Sequence, residues 1–143
     1  MKTILKSIIC VVILILPGCQ KSNHPDSLIG NKWILLKVVH TDTNLEESVP
    51  SNLTNMNIVF NNTHKLNGVG ACNSMTGDYS ILSNDSLKID NLGRTLMYCG
   101  NDINMTWEDT FYNSLKNATN FDITGDRLII KSTSNITLIF KPN

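Results

Sequence analysis

The chain is poor in charge. Only 17% of its 143 residues are Asp, Glu, Lys or Arg, and 12 basic side chains balance 12 acidic ones. A nucleic-acid binder needs a basic stripe, so no nucleic-acid partner is expected. Catalytic signatures are lacking as well: there is no Gly-x-Ser-x-Gly, no His-Glu-x-x-His and no glycine loop shaped for phosphate. The expectation is a protein that is not an enzyme and carries no cofactor. There is no Cys-x-x-Cys spacing to poise a thiolate. A zinc site built on a cysteine pair needs two more ligands, and past residue 28 only His40 and His64 are on offer, so no metal is expected. No apolar run reaches the roughly 20 residues of a membrane-spanning helix.

What is present begins with an address. Lys2 and Lys6 precede an apolar run from Ile8 to Leu16, and Leu16-Pro17-Gly18-Cys19 follows. A charged start, a short greasy core and a small residue before a cut describe a secretory signal peptide over residues 1–18. The Leu-x-Gly-Cys ending resembles a bacterial lipobox, which implies cleavage before Cys19 and lipid on that residue, palmitate included. The expected place is the cell envelope, held to the membrane by lipid. Gln20 stands where aspartate would retain a lipoprotein at an inner membrane, which leans the reading towards the outer membrane. Residues 19–27 are polar, contain Pro25 and read as a tether.

Removing the leader leaves ten basic residues against twelve acidic ones, and enough chain after the tether for one domain, 28–143. Of four cysteines, Cys10 leaves with the leader and Cys19 takes lipid. Cys72 and Cys99 remain as an even pair in an exported chain, which predicts a disulfide; two buried thiols are the alternative. Cys72 lies in Gly68-Val69-Gly70-Ala71-Cys72-Asn73-Ser74-Met75-Thr76-Gly77-Asp78-Tyr79, a stretch with three glycines. Glycine in a strand-like run marks a bulge, a bend or a close backbone approach.

The remaining segments read mostly as β. Strands are expected at Ile34 to Val39, Asn57 to Phe60, Lys65 to Gly70, Asp78 to Leu82 and Leu87 to Ile89. Further strands are expected at Phe121 to Ile123, Arg127 to Lys131 and Ile136 to Phe140, with turns between them. His40 to Asn55, broken by Pro50, reads as a long crossing loop. Trp33 reads as a core anchor. From Asn104 the apolar residues Trp107, Phe111, Leu115 and Ala118 share one helix face, with Asn104 as cap and Glu108 and Asp109 near the positive end of the dipole. The fold class is α+β, mainly β: a curled antiparallel sheet, a barrel-like meander, with one covering helix.

Taken together, Gly68-x-x-x-Cys72-Asn73, Gly77-x-Tyr79 and Thr95-x-Met97-x-Cys99 resemble the signature of the META domain, the HslJ-like family. Leu28-x-Gly30-x-x-Trp33-x-Leu35, Trp107-Glu108-x-x-Phe111-x-x-x-Leu115, Gly125-Asp126-x-Leu128 and Leu138-x-Phe140 extend the resemblance over the domain. Ala71 departs from the glycine expected before the first cysteine. The resemblance implies a small β-rich envelope domain with links to heat shock and stress, and no catalytic residue set. It implies Cys72 and Cys99 as a bridge, Gly68, Gly70, Asn73 and Gly77 as structural, and Tyr79 as a packed strand residue.

Two functions fit. The first is a non-enzymatic envelope lipoprotein whose domain binds an envelope protein or component. The second is an inhibitor of a secreted hydrolase such as a lysozyme, with loop 40–55 entering a cleft. Asn73 reads as a buried amide serving bent backbone, with a ligand contact as the alternative. His64, Asp122, Asp126 and Arg127 read as turn and edge residues. A deep pocket holding two or more of His64, Asp78, Asp85 and Glu108 would reopen the enzyme reading. Asp26-Ser27-Leu28 and Asp85-Ser86-Leu87 resemble a bacterial O-glycosylation motif.

Overall fold

The apolar runs assemble into a single antiparallel sheet in the computed structural model, which describes residues 25–83 and 85–143. The leader, Cys19 and the first part of the tether lie outside the described residues. In chain order the elements are α1 (Pro25–Leu28), β1 (Lys32–His40), β2 (Leu45–Ser48), β3 (Asn57–Phe60), β4 (Lys65–Val69), β5 (Ser74–Ile81), β6 (Leu87–Arg94), α2 (Asp102–Lys116), β7 (Ala118–Thr124), β8 (Arg127–Ser132) and β9 (Ile136–Pro142).

The sheet order is β6-β5-β4-β3-β1-β9-β8-β7, with β2 paired to β1 beside β3. Two meanders, β3 to β6 and β7 to β9, are therefore joined through the first strand. The sheet curls until its end strands meet: Ser86 bridges Asn120, and the Phe121 N–H donates to the Asp85 carbonyl at 2.8 Å. The result is the expected curled, barrel-like meander with one main helix. Among the described residues no helix is long and apolar enough to cross a membrane.

Strand identity follows from side-chain alternation. On β5, Met75, Gly77 and Tyr79 point inward while Ser74 and Thr76 face out. On β9, Ile136, Leu138 and Phe140 are buried. Helix α2 covers the concave side, where Phe111 and Leu115 are fully buried and the Phe111 ring lies 6.2 Å from that of Phe140. Trp33 is the core anchor expected of it, and its indole N–H donates to the Leu28 carbonyl at 3.1 Å.

Four expectations need correction. Segment 40–55 is not an open crossing loop. Leu45–Ser48 folds back on Lys37–His40, with Lys37–Glu46 and His40–Glu47 pairs, and Ser51–Leu53 makes a 3-10 turn that buries Leu53. β-Branched Val38 and Val39 sustain β1 long enough to template that hairpin. Strands β5 and β6 are longer than expected. Both continue past a bulge in which Gly77 opposes Asn91 and Leu92, and Asn91 takes φ 51°. A Cβ on Gly77 would stand 3.1 Å from the Asp90 carbonyl oxygen and from Leu92 Cα, so a side chain there would crowd the bulged backbone opposite. The helix cap is Asn101, whose side chain accepts the Asn104 N–H at 2.8 Å. Finally, Trp107 is only half-buried, and the covered face runs through Glu108, Phe111, Ser114 and Leu115.

Candidate functional site

The bend Gly70–Asn73 joins β4 to β5 at the end of the sheet opposite Ile29, which bridges Phe60. The bend leaves backbone N–H groups without sheet partners, and those groups need acceptors. Glu108, fully buried on α2, supplies them. Its Oε2 accepts from the N–H groups of Cys72 at 3.2 Å and Asn73 at 3.4 Å. Gly70 makes room for the carboxylate, because a Cβ at that position would fall 2.3 Å from Oε2. The glycine is required by close approach, not by left-handed backbone.

The disulfide is present. Cys72 and Cys99 are bonded, with Cα atoms 5.4 Å apart, and the bridge ties the bend to the segment that enters α2. Asn73 is a buried structural amide, but it serves the facing segment rather than the bend, whose N–H groups go to Glu108. Its Oδ1 accepts from the Met97 N–H at 2.7 Å and the Thr95 hydroxyl at 2.8 Å, and its Nδ2 donates to the Met97 carbonyl at 3.1 Å. One buried amide thus fixes three groups of segment 95–99. Asn104 Nδ2 holds the far end by donating to the Cys99 carbonyl at 2.9 Å.

Sequence reasoning missed the charged cluster beneath the bend. Arg94, at the end of β6, places Nη1 3.6 Å from Glu108 Oε1 and Nη2 2.6 Å from Asp109. Its guanidinium lies 4.4 Å above the Tyr112 ring, and the Tyr112 hydroxyl donates to the Leu92 carbonyl. A signal for Glu108 was present: positions 108, 111 and 115 share a helical face as well as 107, 111 and 115 do.

What this scaffold presents to solvent is apolar. Leu96 is 88% exposed, Met97 56%, Tyr98 66% and, on the first turn of α2, Ile103 68%. A recess of about 190 Å³ runs under this ridge, lined by Asn73, Arg94 and Met105 together with Thr95–Tyr98. A second, smaller recess of about 100 Å³ lies between Trp107, Thr106 and Thr110 of α2 and Val38, His40 and Glu47.

The other candidates stand elsewhere. Tyr79 is buried edge-on to Phe60 with ring centroids 4.9 Å apart, and its hydroxyl donates to the Asn61 carbonyl at 2.7 Å. Burial raises its pKa. His64, at φ 60°, lies against the same ring. Asp78 sits on the outer face of β5, where hydrogen bonds from Asn91 and then Lys65 hold its carboxyl below the ordinary value. Asp85 lies in the turn that meets β7. Gly68 lets β4 approach β3, since a Cβ there would stand 2.7 Å from the Asn57 carbonyl oxygen.

A curled antiparallel sheet, one helix across it and a cysteine bridge at their junction define a class of small, disulfide-tied β domain. The META domain family matches residues 26–143, and the chain belongs to that family. Solved structures share the fold. A protein from Burkholderia xenovorans, solved by NMR, superposes with a TM-score of 0.71 at 17% identity, over 100% of this chain and 99% of its own. A second NMR structure gives 0.63 at 24% identity, covering 82% of this chain and 93% of that one. A DUF4847 family protein from Bacteroides vulgatus gives 0.59 at 14% identity, covering 82% and 96%. No curated protein matches the sequence.

Proposed function

We propose that the protein is a non-enzymatic, stress-related cell-envelope lipoprotein, anchored through lipid on Cys19, whose META domain binds an envelope protein through the ridge Leu96–Tyr98 and Ile103. One observation carries this reading. Three large apolar side chains, Leu96, Met97 and Tyr98, stand in solvent on a segment that a disulfide and a buried amide hold in shape, and Ile103 on the first turn of α2 is a fourth exposed one. Exposed apolar patches on a rigid support are the usual mark of an interaction surface. The ridge also lies at the end of the sheet away from Ile29, where the chain arrives from its tether. In this reading the lipid on Cys19 holds the domain at a membrane, the outer membrane being the favoured one. The hydrolase-inhibitor reading depended on an open loop at 40–55. That segment is a paired hairpin, so the ridge is the better-supported surface.

The test is site-specific photo-cross-linking in intact cells, with the photoreactive residue at Tyr98 and, as control, at Lys131 on β8. A discrete protein adduct from position 98, absent from position 131 and lost on Leu96→Ser with Ile103→Ser, supports the proposal. Equal adducts from both positions, or none from either, refute it. Labelling with a palmitate analogue, abolished by Cys19→Ala, tests the anchor separately.

A further inference from the structure

A disulfide alone would be satisfied by apolar packing, yet this one has a carboxyl group beneath it. Cys72 Sγ, Cys99 Sγ and a Glu108 carboxylate oxygen all lie within 4.8 Å of one another. Glu108 Oε2 is 4.0 Å from Cys99 Sγ. Its other oxygen, Oε1, is buried and has no hydrogen-bond partner among the described residues; Arg94 Nη1 faces it at 3.6 Å and is equally without one. Two sulfurs beside Oε2 of a buried carboxylate, whose second oxygen makes no hydrogen bond among the described residues, form a three-residue ligand set for a cation.

We propose that reduction of the bridge turns this place into a two-thiolate, one-carboxylate site for a divalent zinc-type cation. The reductant is a dithiol. It gives two electrons and two protons, the Cys72–Cys99 bond breaks to two thiols, and the dithiol leaves as its own disulfide. The cation then displaces the two thiol protons, which go to solvent, and two sulfur–metal bonds form. Charge favours a cation: two thiolates and a carboxylate carry three negative charges, and the nearby positive group, Arg94, is already paired with Asp109 at 2.6 Å. Cysteine sulfur and glutamate oxygen are both ordinary zinc ligands, at about 2.3 and 2.0–2.2 Å. The sulfurs must move apart for this, and Cys72 has the freedom, because it is only half-buried at the outer edge of the bend. Water completes the tetrahedron on that open side. The oxidised form has no thiolate and binds nothing here.

The test uses the full chain carrying Cys10→Ser and Cys19→Ser, so that only Cys72 and Cys99 supply sulfur. Zinc is titrated against a chromophoric chelator, with cobalt as the spectroscopic probe. The reduced chain is expected to take up one equivalent, release two protons and show thiolate-to-cobalt charge-transfer absorption. The oxidised chain should show none of these. Glu108→Gln should weaken binding at least tenfold, and Cys72→Ser should remove the two-sulfur signature. An unchanged affinity in Glu108→Gln, or no uptake by the reduced chain at micromolar zinc, overturns the proposal. Should Glu108→Gln fail to fold, X-ray absorption of the zinc-loaded parent chain decides: two sulfur scatterers with oxygen neighbours support the site, and a sulfur-free shell refutes it.

Discussion

Substituting Gly70 by alanine isolates what Glu108 does. The new methyl carbon would stand 2.3 Å from Oε2 and 2.7 Å from Cδ and Oε1. Ordinary contact begins about an ångström further out, so the carboxylate must move. The end of a free glutamate would move at little cost, but this one is fully buried and accepts two backbone N–H groups. Displacing it forfeits both bonds. At about 1.5–3 kcal/mol for a short bond to a charged group, and less for bonds of this length, the loss sums to about 3 kcal/mol. The backbone of Gly70 is not left-handed, so alanine there is otherwise tolerable. The same substitution in a Glu108→Ala background should therefore be neutral, or stabilising by up to about 1 kcal/mol through the stiffer unfolded chain. The coupling expected between the two positions is about 3–4 kcal/mol, far above the few tenths seen for independent sites. Urea unfolding of the four oxidised proteins at pH 7 measures it. Equal costs of Gly70→Ala in both backgrounds would show that the glycine serves the backbone alone and would sink the argument.

Other expectations are more direct. Replacing both Cys72 and Cys99 by serine removes a bridge between residues 27 apart in sequence and should lower stability by about 3.5 kcal/mol, read from urea unfolding, with an m-value that rises because the uncrosslinked denatured chain is less compact. Asn73→Ala should cost about 2 kcal/mol, and hydrogen exchange should then show the Met97 amide losing protection. Tyr79→Phe deletes the bond to the Asn61 carbonyl and should cost about 1 kcal/mol, with the ring contact to Phe60 preserved in NMR spectra. Asp78 is held below its ordinary value of 3.8, so its contribution is complete above that pH and fades as pH falls through the lower folded value. Asp78→Asn should accordingly destabilise at neutral pH and converge with the parent in acid; a gap that persists at pH 2 would contradict this.

The parts of the fold legible in the sequence were those where one signal decided the outcome. Strand β3 and the hairpins of β7–β9 were bounded by turn residues, and Gly125 and Asn135 do adopt the left-handed backbone those turns require. Cysteine parity sufficed for the bridge. The family's motif residues proved to be a packing set: Gly68, Gly70 and Gly77 each mark a close approach. Illegible were features that depend on which partner arrives. Strand β2 is composed of exposed residues, Leu45 followed by three polar ones, and exists because β1 offers it an edge. The last third of β6 lacks apolar alternation because a bulge resets its register at Asn91. Glu108 was read as a dipole charge because a carboxylate on a buried face is uncommon without the bend that requires it. The same helical spacing that promoted Trp107 to the core fitted Glu108 equally, and only the bend above distinguishes them.

The position of β1 has a consequence for how the molecule comes into being. Its partners are β3 on one side and the last strand, β9, on the other, with His40 opposite Ile136. One edge of β1 must stay open while roughly a hundred residues are delivered, a long loop whose closure is entropically costly but only slowly more so with length. A chain delivered amino end first would hold a half-made sheet until its carboxyl end emerged. The first meander could form, close its disulfide and set the ridge beforehand. Assembly of the second would then dock β9 against the waiting edge, so the sheet closes only when the final strand arrives.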